Sequence, residues 1–289
     1  MTTAQKDNYE IDVADVEYVR HGNKPFLARV YKPRGAGPFP FVIDLHGGAW
    51  CHKDRSTDVG ANEPLAKSGV VVASLDFRMP PDDPGYPASM ADINYAIRWF
   101  KSKAAIYHSR ADLFGVLGTS SGGHQAMLTA MRPNDPRYAA LPLPGAATFD
   151  ASVRCVALCW PVIDPLGRYQ YAHKLKAEGK PKVADQVGPS HDLYWKTEAA
   201  MAEGNPTRAL ERGEKTPMPP VLYLQGGADD VHPRQNLDRF VAAYRKAGGS
   251  VDLHFYEGMG QAFITNDPTA PASMAAIDRI IEFVHRQIR

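Results

Sequence analysis

The chain has 289 residues, and its 33 Lys and Arg nearly balance 32 Asp and Glu. The charges are scattered without long like-sign runs, so it lacks the electrostatic footprint of a partner for nucleic acid or anionic membrane; a small-molecule ligand is the expectation. The opening stretch from Met1 to Glu10 has no basic-then-apolar signal pattern, and no apolar run approaches the roughly 18 residues of a membrane span, which predicts a soluble, cytoplasmic protein.

Apolar runs bounded by Gly, Pro or Asp recur along the chain with amphipathic segments between them. That alternation predicts a mostly parallel sheet of about eight strands covered by helices on both faces, folded as a single domain over residues 1–289. The candidate strands are Ile11 to Val19, Phe26 to Tyr31, Phe39 to Leu45, Val70 to Phe77, Phe114 to Gly118, Val153 to Trp160, Val221 to Gln225 and Val251 to Tyr256. Four of them are nearly continuous in apolar residues, as strands buried on both faces should be. Helices are predicted near 57–68, 87–103, 121–131, 234–247 and 273–288. The rhythm breaks between Asp164 and Pro219, a stretch rich in charge and proline that carries no convincing strand. It reads as a lid insertion, with Tyr169, Tyr171, Tyr194 and Trp195 packing it over the C-terminal edge of the sheet, where open α/β folds bind ligands. The cysteines number three, and Cys155 and Cys159 fall in an apolar run, which predicts free thiols rather than disulfides.

Three motifs point to acyl chemistry. In Gly118-Thr119-Ser120-Ser121-Gly122 a strand turns directly into a helix, and the flanking glycines let the two backbones approach while Ser120 is held in a strained turn with its hydroxyl presented. Choosing Ser121 as the nucleophile would place Thr119 at the first glycine position, so the register favours Ser120. The segment His46-Gly47-Gly48-Ala49-Trp50 follows a buried strand, and its small residues leave backbone N–H groups open to a developing oxyanion. The predicted oxyanion hole is made by the N–H groups of Gly48, Ala49 and Ser121, with His46 holding the loop. The third motif, Gln225 to Pro233, runs from a strand into a turn with two acids. Asp229, preferred to Asp230, is the candidate for orienting a base; a plain turn or helix cap is the competing use of either aspartate.

With these residues in place the chain resembles the α/β-hydrolase esterases and lipases related to hormone-sensitive lipase, including formamidase-like and feruloyl-esterase-like members. HGGAW is similar to the family's oxyanion segment and GTSSGGHQA to its nucleophile elbow. The block from Asp76 to Phe100, CWPVID and QGGADDVHP extend the likeness from about residue 39 to the C-terminus. The resemblance implies hydrolysis of a small carboxylic ester or amide through an acyl-serine, without cofactor or metal. It also implies that His124, just after the elbow, is structural.

The resemblance leaves one position discordant. The family places its base after the last strand in a phrase of the form acidic-Gly-x-Gly-His-x-Phe, and here the phrase is Glu257-Gly258-Met259-Gly260-Gln261-Ala262-Phe263. An amide cannot accept the serine proton near neutral pH, so Gln261 in the base's place predicts a turnover reduced by roughly 10⁴ to 10⁶. Among the histidines, His232, three residues after Asp229, is the best substitute on chain proximity, and His191 in the insertion is another. The glutamine also admits an engineered substitution, a non-hydrolytic enzyme such as a lyase, or a binding protein for a carbonyl or carboxylate ligand. The sequence leaves a homo-oligomer open.

Overall fold

The eight apolar runs form eight strands of one sheet in a computed structural model that describes residues 8–145 and 148–289. The first seven residues, part of the segment examined for a leader, lie outside the described residues. The strands are β1 (Ile11–His21), β2 (Lys24–Pro33), β3 (Phe41–Leu45), β4 (Val71–Leu75), β5 (Phe114–Thr119), β6 (Val156–Cys159), β7 (Val221–Gly226) and β8 (Val251–Tyr256). Their spatial order is β1-β2-β4-β3-β5-β6-β7-β8. The two N-terminal strands join antiparallel, and every pairing from β4 to β8 is parallel. Strands β3, β4, β5, β6 and β7 are buried along their whole length, the physical counterpart of their unbroken apolar runs.

Several predicted strand ends shorten for local reasons. Pro40 has no N–H to give the ladder, and β3 begins after it. At the other end of β6, Trp160 adopts φ 39°, which turns the chain out of the sheet.

Helices α1 (Val59–Lys67), α2 (Ala88–Ser102) and α3 (Ser121–Met131) connect the first half of the sheet. Four helices stand between β6 and β7 in the stretch predicted to be an insertion: α4 (Pro165–Ala177), α5 (Lys182–Trp195), α6 (Glu198–Glu203) and α7 (Pro206–Glu211). Three of these begin with side-chain caps legible in the sequence. Asp164 accepts from the N–H of Gly167, Thr197 from that of Ala200 and Asn205 from that of Arg208, and Pro165 and Pro206 occupy first-turn positions where a missing N–H costs nothing. The chain closes with α8 (Arg234–Lys246), α9 (Phe263–Asn266) and α10 (Pro271–Gln287).

The insertion is tied to the sheet by a small aromatic core. Trp50, from the loop after β3, stacks on Tyr194 with ring centroids 5.2 Å apart and meets Trp195 edge-on at 5.5 Å. The buried Asp164 carboxylate accepts from Gly167 N, Asn205 Nδ2 and Arg239 Nη1, joining α4, α7 and α8 in one network. Among the described residues no helix is long and apolar enough to cross a membrane. The three cysteines are unpaired and buried.

Candidate active site

The turn from β5 into α3 is set by close backbone packing. A Cβ on Gly122 would lie 1.9 Å from the carbonyl oxygen of Leu45, and one on Gly118 would lie 2.5 Å from that of Gly122. Only glycine allows the helix to sit this near the strands. Between them Ser120 is held at φ 50° and ψ −115°, a conformation that costs an L-residue about 1–3 kcal/mol and persists because the surroundings over-determine it. Its N–H donates to Cys159 O, and its own carbonyl accepts from Val162 and His124 N–H, so β6, the segment that follows it and the helix fix the turn.

The hydroxyl so presented meets a histidine. His232 Nε2 lies 3.3 Å from Ser120 Oγ, and on the other side of the ring Nδ1 lies 2.8 Å from Asp229 Oδ2. Asp229 is itself fully engaged. Its Oδ1 accepts from the N–H groups of Val231 and His232, and its Oδ2 also accepts from Gln225 Nε2. Burial on its own would raise this carboxyl, but the imidazole and the two N–H groups outweigh it and hold the pKa below its usual value. An ionised Asp229 fixes the proton on Nδ1 and leaves Nε2 as the acceptor facing serine. Burial, the largest influence on His232, lowers its pKa; Asp229 offsets part of that, and the nearby Arg168 adds to it. The imidazole is therefore neutral near pH 7, the state a base requires.

The loop after β3 supplies the opposite wall. Gly47 packs against Ser120, where a Cβ would stand 3.2 Å from Ser120 Cβ. Gly48 and Ala49 carry φ values of 108° and 51°, and the Gly48 carbonyl turns back to accept from Cys51 and His52 N–H. Ser121 Oγ accepts from Trp50 N–H, joining this loop to the elbow. His46 is buried, donates its Nδ1–H to the Gly47 carbonyl and stacks on Phe77, in keeping with a loop-holding role. Beneath the pocket the buried Asp58 accepts from Thr119 Oγ1 and Thr265 Oγ1, both of which face the same cavity. That cavity is about 380 Å³ in volume and is lined by Gly48, Ala49, Ser120, Arg168 and Gln261 among others.

The sequence-predicted residues converge here, with one reassignment. Ser120, Asp229, Gly48, Ala49 and Ser121 are brought together, whereas Asp230 is exposed and pairs with Lys182. Gln261 reaches the cavity wall on the loop between β8 and α9, which packs tightly against the end of β7: Ala228 N–H donates to Met259 O, and a Cβ on Gly226 would meet that oxygen at 2.4 Å. Among the described residues, however, the Gln261 side chain makes no hydrogen bond, and His232 rather than Gln261 stands between Ser120 and Asp229. The substitute considered on chain proximity is the residue in place. The other candidates are occupied elsewhere. His124 bridges Trp50 Nε1 and the Gly204 carbonyl, and His191 faces the Val187 and Pro165 carbonyls under Trp50. Arg168, which the sequence reading did not single out, is a fully buried residue of α4 whose Nη1 lies 3.3 Å from His232 Nε2. A charged residue in the first turn after a capped helix start was its only sequence signal.

The fold is that of the α/β-hydrolases, with the Ser120, His232 and Asp229 side chains in hydrogen-bond succession beyond the C-terminal ends of β5 and β7. More narrowly, the chain belongs to the BD-FAE family, whose model matches residues 29–243. Among curated proteins it is similar to esterase LipC of Mycobacterium tuberculosis, at 28% identity over 86% of this chain and 59% of that one, so it spans little more than half of LipC's length. It is similar also to the versiconal hemiacetal acetate esterase of Dothistroma septosporum, at 26% identity over 96% of this chain and 80% of the other. Among solved structures, the hyperthermophilic esterase of the archaeon Pyrobaculum calidifontis superposes with a TM-score of 0.77 at 21% identity, covering 96% of this chain and 87% of that one. At that identity the likeness speaks for the fold.

Proposed function

We propose that this protein is a serine esterase that hydrolyses small carboxylic esters by acyl transfer, with Ser120 as nucleophile, His232 as general base and acid, and Asp229 as the residue that orients the imidazole. The observation that carries this reading is the succession Ser120 Oγ, His232 Nε2, His232 Nδ1, Asp229 Oδ2 at 3.3 and 2.8 Å. Serine oxygen attacks the ester carbonyl as its proton passes to Nε2; the collapsing intermediate expels the alkoxide, which takes that proton. Water, deprotonated at the same nitrogen, then releases the acid. The N–H groups of Gly48, Ala49 and Ser121 serve as the oxyanion hole, each donor contributing about 10²- to 10³-fold in rate. Helices α4 to α7 act as the lid that limits the cavity to short acyl groups. Gln261 is a wall residue whose amide faces substrate, so its presence does not impair turnover. The relatives' names, which include an acetate esterase, support a short ester as substrate.

A fluorophosphonate probe and a short 4-nitrophenyl ester test the proposal together. The expected result is stoichiometric labelling and ester hydrolysis, both abolished in Ser120→Ala. Labelling that survives in Ser120→Ala, or a wild-type protein inert to both reagents, refutes it.

A further inference from the structure

Among the described residues, the buried charged side chain with the most unpartnered nitrogens borders this cavity. Arg168 is 2% exposed, and among the described residues its Nε and Nη2 have no hydrogen-bond partner. A guanidinium carries five N–H donors, and leaving them buried and unpaired is costly unless a ligand completes them. Its plane lies over the Trp50 ring at 5.3 Å, which fixes its position against the oxyanion loop. Burial depresses the group to about 9, still charged at neutral pH. Asp229, bonded to the other side of the His232 ring, is the acid whose charge supports the guanidinium, and the buried Asp164, engaged by Asn205 and Arg239, lines a small neighbouring cavity with Arg168. No Asp or Glu is among the described residues lining the cavity, whereas Lys53 joins Arg168 there, and Asp58 is turned away toward Thr119 and Thr265.

Among the described residues, the one hydrogen bond of the guanidinium head falls on His232 Nε2, the atom that must accept the serine proton. Arg168 and Ser120 thus compete for the same lone pair at equal distance, 3.3 Å. A ligand that drew the guanidinium away would leave Nε2 to serine alone.

Resting on the esterase reading of the same site, we infer that Arg168 is a carboxylate-binding subsite, and that the preferred substrates are esters bearing a free carboxylate a few bonds from the scissile carbonyl. Arginine and carboxylate match in planar, bidentate geometry, and hydrogen bonds to charged groups are the strong ones. The bound carboxylate completes Arg168, releases His232 Nε2 to Ser120, and so couples recognition of the anion to activation of the nucleophile. Arg168 is on this account a specificity and positioning residue.

The test compares kcat/KM for mono-4-nitrophenyl glutarate with that for the uncharged 4-nitrophenyl pentanoate, in the wild type, Arg168→Gln and Arg168→Lys. A charged hydrogen bond of this kind predicts a wild-type preference for the anionic ester of roughly 10- to 100-fold. The preference should fall to about one or below in Arg168→Gln and be partly restored in Arg168→Lys. Glutarate should also inhibit the wild type at least roughly 10-fold more strongly than the neutral glutaramide, a comparison that needs no variant to fold. Equal turnover of both esters with no inhibition advantage for glutarate, or a preference unchanged in Arg168→Gln, overturns the inference and leaves the esterase reading intact. Failure to turn over either ester, with no fluorophosphonate labelling of Ser120, overturns both.

Discussion

Replacing His232 by Gln, and separately Gln261 by His, distinguishes the base proposed here from the position the family phrase leads one to expect. In His232→Gln the amide can still receive a hydrogen bond from Ser120 but cannot take its proton. Asp229 retains the Val231 and residue-232 N–H groups and Gln225, three of its four donors, so the acid loop should keep its shape. The loss is then one of chemistry rather than folding. Removing a triad base costs roughly 10⁴- to 10⁶-fold, about 5 to 8 kcal/mol at 1.36 kcal/mol per decade. Gln261→His places an imidazole on a wall with no hydrogen bond to Asp229 and should change kcat/KM by less than about 10-fold, since nothing there orients the ring. The assay is hydrolysis of 4-nitrophenyl acetate with active-site titration, and circular dichroism to verify the fold. The wild-type pH profile adds an independent reading. Because His232 titrates below its ordinary 6.5, kcat/KM should rise with pH to a plateau reached before neutrality, its midpoint under 6.5. An His232→Gln protein that retains more than about a hundredth of the activity, or a Gln261→His protein that gains about a thousandfold, refutes the reasoning.

Further outcomes follow from buried groups around the site. Asp44 is fully buried; desolvation, reinforced by the nearby Asp58 charge, raises its carboxyl to about 7 despite hydrogen bonds from Asn62 and Ser74. A carboxyl whose folded pKa exceeds its unfolded 3.8 stabilises fully below 3.8, and that contribution is lost as pH rises through about 7. Asp44→Asn should therefore flatten the pH dependence of urea-unfolding stability across that window; an unchanged slope contradicts a protonated Asp44. Gly122→Ala forces a Cβ to within 1.9 Å of the Leu45 carbonyl, so the elbow must open, with an expected loss of about 3 kcal/mol in thermal unfolding and of fluorophosphonate labelling. Wild-type stability in that variant would mean that the helix does not sit this close to β3.

Much of the architecture is written locally. The apolar runs of β3 to β7 announce doubly covered strands because a strand buried on both faces has no polar side to show, and the glycines at 118 and 122 announce the elbow because any Cβ there collides with backbone. The four insertion helices were less legible. Their polar faces hide the period, though the caps at Asp164, Thr197 and Asn205 were available.

By itself the sequence singled out Ser120, Asp229 and the loop of Gly48 and Ala49, since each lies in a turn whose geometry is dictated by residues close in the chain. Which side chain completes the relay was a different kind of question. Ser120 and His232 are 112 residues apart, and their approach depends on how the ends of β5 and β7 lie in the sheet and how the loop folds over Asp229. Neighbour patterns place Gln261 on the right loop and at the right cavity, but they cannot say from which loop the imidazole comes. The same holds for Arg168, an unremarked charge on a helix until packing buries it against Trp50 and aims it at His232. Proton transfer requires hydrogen-bond contact in space, and only the tertiary structure decides which atoms make it.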